Sequence, residues 1–313
     1  MRTRKLRPGS LRVTIDVIAV TYLRNHRSSD GRGVEMTLDQ LSLLRYGALA
    51  STSGEDGRPY VVEADGMRAL HFEALTVQSQ MRLDAPDALE IDYTRAMMGF
   101  LLFNPEPRDI VMIGLGGGSL AKYCLRTLPN VRFTAVEIDP GVIALRDAFG
   151  VPPDSERFRV VCADGADYVR RREHAPDVLL IDGFDRGGQP DCLCTSGFYD
   201  DCHTMLAGGG VMAVNLWSGD RRYGLYASRI RDSFEDRFVA IGAEHDSNRI
   251  AFACKGRGFP PRRRQLLERA RMLATHHPIG IMSTAQRIQQ RLERRAHYRP
   301  DLWDEDLPRR RGD

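Results

Sequence analysis

The chain has 313 residues, with 45 Lys and Arg against 42 Asp and Glu, for a formal net charge of +3. That length exceeds one ordinary domain of roughly 100–200 residues, so a sizeable core with additions at both ends is expected. There is no run of about 18 apolar residues to read as a membrane span, and the basic start (Arg2, Arg4, Lys5, Arg7) leads into neither the apolar core nor the small-residue cleavage site of a leader. A cytoplasmic, unexported protein without membrane partners is the expectation. The small net charge conceals a division, because Lys255–Asp313 carries 15 basic and 7 acidic residues and leaves 30 basic against 35 acidic for the rest. Arg-rich helical ends are more often solvated faces than nucleic-acid grips, so nucleic acid is not an expected partner.

In chain order, residues 1–57 offer a basic tip, an apolar patch (Val13–Leu23), a loop-like HRSSDGRG and turn chemistry in STSGEDGRP, with no functional signal. From Tyr60 the pattern shortens. Val61-Val62 and Leu70-His71-Phe72 flank Asp65-Gly66, a hairpin signal, and Leu75–Val77 predicts a third strand. Ala88–Phe103 then has helical spacing up to Asn104-Pro105, with Met97, Met98 and Phe100 read as core. Strands follow at Ile110–Ile113, Phe133–Ile138, Phe158–Cys162, Val178–Ile181, Val211–Leu216, Phe238–Ile241 and Ile250–Cys254, with helical segments between them. This alternation predicts a Rossmann-like α/β sheet of seven strands, the last two antiparallel because their connection is short, preceded by a small antiparallel β module. Beyond Pro260-Pro261, residues Arg262–Leu273 and Thr284–Arg295 read as two amphipathic helices. The expected division is an extension over 1–57, a hairpin module with its linking helix over 58–107, a nucleoside-binding catalytic domain over 108–255 and a basic helical extension over 256–313.

The six cysteines (Cys124, Cys162, Cys192, Cys194, Cys202, Cys254) are scattered as free thiols would be in a reducing compartment. Cys192, Cys194, Cys202 and His203 lack a second pair at zinc-site spacing, so no metal is expected.

The chemistry gathers at the predicted carboxyl edge of the sheet, where open α/β sheets bind ligands. The loop Gly114, Gly116, Gly117, Gly118 lets backbone approach a ligand closely, and the helix after it opens with unpaired N–H groups. About 20 residues on, Glu137 and Asp139 end the second strand, where a carboxylate can accept from ribose hydroxyls. Asp164-Gly165 sits at the third strand end; its carboxylate either accepts from an adenine amino group or caps the following helix. After the fourth strand, Asp182 and Asp185 in IDGFDRGG either bind a cationic amine and take its proton, or cap and solvate a loop.

Taken together, IGLGGGSL, VEIDP, CADGADYV, IDGFD and GFYDDCHTMLAGGGVMAVNLW resemble the corresponding segments of the spermidine synthase family, the polyamine aminopropyltransferases, over about Tyr60–Cys254. The resemblance implies a methyltransferase-type sheet and transfer of an aminopropyl-type group to an amine acceptor, in polyamine biosynthesis. The donor would be decarboxylated S-adenosylmethionine or S-adenosylmethionine itself, and no metal would take part. By the same resemblance Glu137 would hold the ribose, Asp164 the adenine, Asp182 would be the base and Asp185 would help bind the amine. Gln78 in TVQSQM would face the nucleoside, Tyr93 in DYTRAMM would line the amine site, and a homodimer is expected. Two segments depart from the family pattern. The glycine loop usually reads GGGDGG, with its Asp facing the donor's ammonium, and that position is Gly117 here; the catalytic loop usually reads D-S-S/T-D-P, and here Gly183, Phe184 and Arg186 replace its middle and end. The competing readings are an S-adenosylmethionine-dependent methyltransferase on the same scaffold and a catalytically silent nucleoside-binding or scaffold protein.

Overall fold

The computed structural model describes residues 58–73, 76–185, 188–244 and 247–296, so the features read in 1–57 lie outside the described residues. The chain divides into two compact units at Ala85/Pro86. In the first, β1 (Tyr60–Ala64), β2 (Met67–Glu73) and β3 (Thr76–Arg82) form an antiparallel sheet in sequential order. The Asp65-Gly66 hairpin signal is realised as a two-residue turn with both φ positive, 50° and 76°, the geometry that matches strand twist. The third strand runs further than Leu75–Val77 suggested, pairing with β2 as far as Met67↔Arg82, while Leu75 itself lies outside the described residues.

The second unit opens with α1 (Asp92–Met97), which tightens into a 3₁₀ helix over Met98–Leu102. The single helix expected over Ala88–Phe103 is therefore shorter and broken. A Cβ on Gly99 would lie 2.7 Å from Phe252 Cζ and 2.9 Å from Thr284 Cγ2; the backbone packs directly on these neighbours, and glycine is a poor helix former at the break. Met97, Met98 and Phe100 are fully buried, as their spacing predicted.

Seven strands follow: β4 (Asp109–Ile113), β5 (Arg132–Glu137), β6 (Phe158–Cys162), β7 (Val178–Ile181), β8 (Val211–Trp217), β9 (Phe238–Gly242) and β10 (Asn248–Cys254). Their order is β6-β5-β4-β7-β8-β10-β9, all parallel except β10, which runs antiparallel to both neighbours. The strand boundaries fall within two residues of the sequence reading, most of these strands being short apolar runs buried on both faces. The helices between strands are α2 (Ser119–Thr127), α3 (Pro140–Ala144), α4 (Gly165–Arg171), α5 (Ser196–Met205) and α6 (Tyr223–Ser233). One sheet face packs Val111, Ile113, Leu179, Ile181, Met212 and Val214 against α4, α5 and α6. The alternate residues face α1, the 3₁₀ helix, and the terminal pair α7 (Arg263–Ala274) and α8 (Ile281–Ala296). That pair is docked through buried Leu266, Ala270, Ile281, Ala285 and Ile288, and by the Tyr123 hydroxyl 3.1 Å from His277 Nδ1. Among the described residues no helix is long and apolar enough to cross a membrane.

The order reverses between β4 and β7. Both neighbouring strands therefore lead away from the same crevice at their carboxyl ends, the place where such sheets bind ligands.

Candidate active site

At that crevice the end of β4 and the end of β7 touch. Gly114 has φ +93°, its N–H donates to Val136 O at 2.8 Å, and a Cβ there would lie 2.4 Å from the backbone oxygen of Asp182. Glycine is required on both counts. Gly114→Ala should lose about 2 kcal/mol or more of stability, read as a lowered midpoint in chemical denaturation, from left-handed strain and the backbone clash together. Gly116 and Gly118 also adopt positive φ, 53° and 67°, whereas Gly117 is buried outside that region. Gly118 precedes the first turn of α2, whose leading N–H groups open at the loop.

Glu137 is 8% exposed at the end of β5. Its Oε2 accepts from Leu115 N and its Oε1 from Asp139 N, each at 2.9 Å. Two backbone donors fix the carboxylate in one plane, and each oxygen retains a lone pair for a hydroxyl. The acid is thus organised ahead of any ligand. Asp139 caps α3 by accepting from Gly141 N at 2.7 Å. Asp164 caps α4 through Asp167 N at 2.9 Å, so the capping alternative is realised there, with Gly165 opening the helix. Gln78 lies half-buried on β3 of the first unit.

Asp182 is the most elaborately held acid of the crevice. Directly after β7, its N–H donates to Ile113 O at 2.9 Å, which ties it to β4. Its Oδ2 accepts from the Tyr93 hydroxyl of α1 at 3.1 Å, and its Oδ1 from Asn215 Nδ2 of β8 at 2.9 Å. Removal from water pushes the carboxyl up to about 6, opposed by the two hydrogen bonds, of which Asn215 has the stronger effect. Such a group is ionised at neutral pH and returns a proton readily, as a general base must. Asp185 is exposed and pairs through its backbone with Gly188, Asp185 N donating to Gly188 O at 2.8 Å; Arg186 falls outside the described residues. The Cys192 thiol is pushed up, first by partial burial and then by the carboxylates of Asp164 and, more weakly, Asp185. Cys192 is exposed and Cys194 and Cys202 are buried, while His203 lies edge-on to Phe234.

Three residues escaped the sequence reading. Asn215 is 1% exposed within the apolar strand VMAVNLW, and its Oδ1 accepts from Asn248 Nδ2 of β10 at 2.9 Å. Gln189, 6% exposed, donates through Nε2 to the backbone oxygen of Asn215 at 2.9 Å. A polar side chain inside an otherwise apolar strand was the available signal for Asn215. Nothing local marks the other two.

Fold and site define a Rossmann-like α/β protein with two held acids, Glu137 at the end of β5 and Asp182 after β7, flanking the glycine loop that follows β4. The family model for the spermine/spermidine synthase domain matches residues 90–216. A polyamine aminopropyltransferase of Neisseria meningitidis is 43% identical over 190 residues, 60% of this chain and 72% of that protein. The chain belongs to this family of polyamine aminopropyltransferases. Among solved structures, a spermidine synthase in complex with the transition state analogue AdoDATO is similar in fold, with TM-score 0.57 and 20% identity over 80% of this chain and 88% of that one. Human methyltransferase-like protein 13 in complex with SAH gives a TM-score of 0.51 at 25% identity, over 69% of this chain and 96% of that one. Transfer from an S-adenosylmethionine-type substrate is the activity these similarities support.

Proposed function

We propose that the chain catalyses attack of an amine on the carbon beside the sulfonium of an S-adenosylmethionine-type donor, with Asp182 as the base. The observation that carries this reading is the carboxyl of Asp182, desolvated yet held by Tyr93 and Asn215 where β4 and β7 diverge. The acceptor's ammonium loses a proton to Asp182, and the freed nitrogen lone pair forms the new C–N bond. The C–S bond breaks with its electron pair going to sulfur, so methylthioadenosine leaves as a neutral thioether when the donor is decarboxylated. The positive sulfonium already activates the leaving group, and the remaining work is alignment and proton removal. Glu137 would take the ribose hydroxyls, Asp164 the adenine amino group with the oxygen not used in capping, and the glycine loop the chain bearing the sulfonium. Tyr93 would line the amine site, and Asp185 would draw the polyamine cation.

Incubation with S-adenosylmethionine, its decarboxylated form and a panel of diamines, with products identified by mass, tests this reading. An aminopropylated amine plus methylthioadenosine is expected. A methylated product would instead favour a methyltransferase, and no product from any pair would overturn the enzyme reading. In the same frame Glu137→Ala should weaken methylthioadenosine binding by a few kcal/mol, about 2–4, because two charge-assisted contacts are lost. Calorimetry reads this directly, and unchanged affinity would remove Glu137 from the site.

A further inference from the structure

Asp182 is held by a hydrogen-bond chain that begins three strands away in sequence. Asn215 is the one polar residue of the otherwise apolar strand VMAVNLW and is 1% exposed near its carboxyl end, and burying an amide is costly unless its polar atoms are met. They are met in one direction only: Asn248 Nδ2 donates to Asn215 Oδ1 at 2.9 Å, and Asn215 Nδ2 donates to Asp182 Oδ1 at 2.9 Å. The register explains the alignment. Asn215 pairs with Ile250 across the antiparallel β8–β10 ladder, so Asn248, two residues earlier, is its diagonal neighbour on the same sheet face. That face also carries Tyr93 of α1.

We propose that Asn215 and Asn248 form a positioning pair that fixes which end of the Asn215 amide meets Asp182 and thereby holds the base in its proton-accepting geometry. The argument is one of donors and acceptors. Were the Asn215 amide turned over, its oxygen would face Asp182 Oδ1, and two acceptors would oppose each other without a proton between them. Asn248 opposes that arrangement, because the turned-over amide would set its NH₂ group against the NH₂ group of Asn248 where Asn215 Oδ1 now accepts. The backbone of Asn215 is pinned independently by Gln189 Nε2, which ends the loop that carries Asp185. One residue therefore joins the base, the amine-side loop and the antiparallel strand.

The pair's catalytic meaning rests on the proposed role of Asp182, so the test includes a readout that needs no substrate. The groups facing the Asp182 carboxyl are the Tyr93 phenol from α1 and the neutral amide of Asn215 from β8, with neutral Asn248 of β10 behind it. The experiment follows the titration of Asp182 by NMR on protein carrying ¹³C-labelled aspartate, with Asp182→Asn identifying the signal. In wild type the midpoint is expected near 6. Asn248→Leu should raise it by about half to one pH unit as the Asn215 donor is loosened. Asn248→Asp, of the same shape but acceptor-only, turns the amide over and should raise it further. In steady state both variants should lower kcat by roughly tenfold or more and move the acid limb the same way, with KM for the nucleoside donor within about twofold. Asn215→Leu should act as the more severe version. If it does not fold, the Asn248 variants decide, since that side chain is only half-buried at the start of its strand. An unchanged midpoint in both Asn248 variants would overturn the proposal, as would a drop in stability with kcat per folded molecule unaltered. A shifted midpoint in a protein without aminopropyl transfer would uphold the pair and refute the proposed reaction.

Discussion

Asp182→Asn should lower turnover by about 10²- to 10⁴-fold while leaving the affinity for methylthioadenosine within about twofold, because the substitution removes a proton acceptor and keeps the shape. The same substitution should make the protein more stable at neutral pH. The carboxyl ordinarily titrates at 3.8 and is pushed up to about 6 by burial in the folded chain. The folded state thus binds this proton more tightly than the unfolded one. The stability that the protonated group contributes is complete below 3.8 and is lost as pH rises to about 6, above which the ionised carboxylate costs on the order of 3 kcal/mol. Asparagine carries no such cost. Denaturation of both proteins at several pH values should show the variant ahead at pH 7.5 and the gap closing as pH falls below 6. In the wild type the reaction rate should decline across the same window as the base takes up its proton. A stability gap independent of pH would show that Asp182 is not held as described, and full turnover in the variant would remove it as the base.

The second large effect is expected at Gly117. In the pattern of the family an aspartate here meets the donor's ammonium and repels the carboxylate of undecarboxylated S-adenosylmethionine, so the side chain selects as much by repulsion as by attraction. This chain has no charge at that position. Unlike Gly114, Gly116 and Gly118, Gly117 lies outside the left-handed region, so its backbone conformation does not itself require glycine. Wild type should bind the two nucleosides with dissociation constants within roughly tenfold of each other. Gly117→Asp should then shift that ratio toward the decarboxylated donor by about 2–5 kcal/mol, the range seen for charge pairs shielded from water. Titration calorimetry with both nucleosides measures the ratio. A strong wild-type preference for the decarboxylated donor, unmoved by the substitution, would mean that another residue supplies the charge.

The sheet was legible because buried parallel strands announce themselves as short apolar runs between turn residues, and β6 and β7 were bounded at the residues where the sequence placed them. The acids were legible because each ends such a run: Glu137, Asp164 and Asp182 need only strand ends to be located. The break in the helix over Ala88–Phe103 was hidden, since it depends on Phe252 and Thr284, which lie more than 150 residues away along the chain and meet the Gly99 backbone in the fold. Asn248 was hidden for a related reason. Its significance exists only once β10 lies beside β8, and adjacency of non-consecutive strands is a property of topology that no local pattern encodes.

That topology bears on how the molecule comes into being. Among the described residues the last strand in chain order is not at the sheet's edge: β10 lies between β8 and β9, and β9 reaches the sheet through β10 alone. During synthesis β9 emerges before β10 but has no neighbour in the sheet until the chain has turned back and laid β10 against β8. Closing the β8–β10 pairing is the non-local step, since β9 and β10 are joined by a short connection. Asn248 arrives with that step. A chain without β10 leaves Asn215 without the Asn248 amide that donates to its Oδ1, so the hydrogen-bond chain to Asp182 is closed only once that strand is in place.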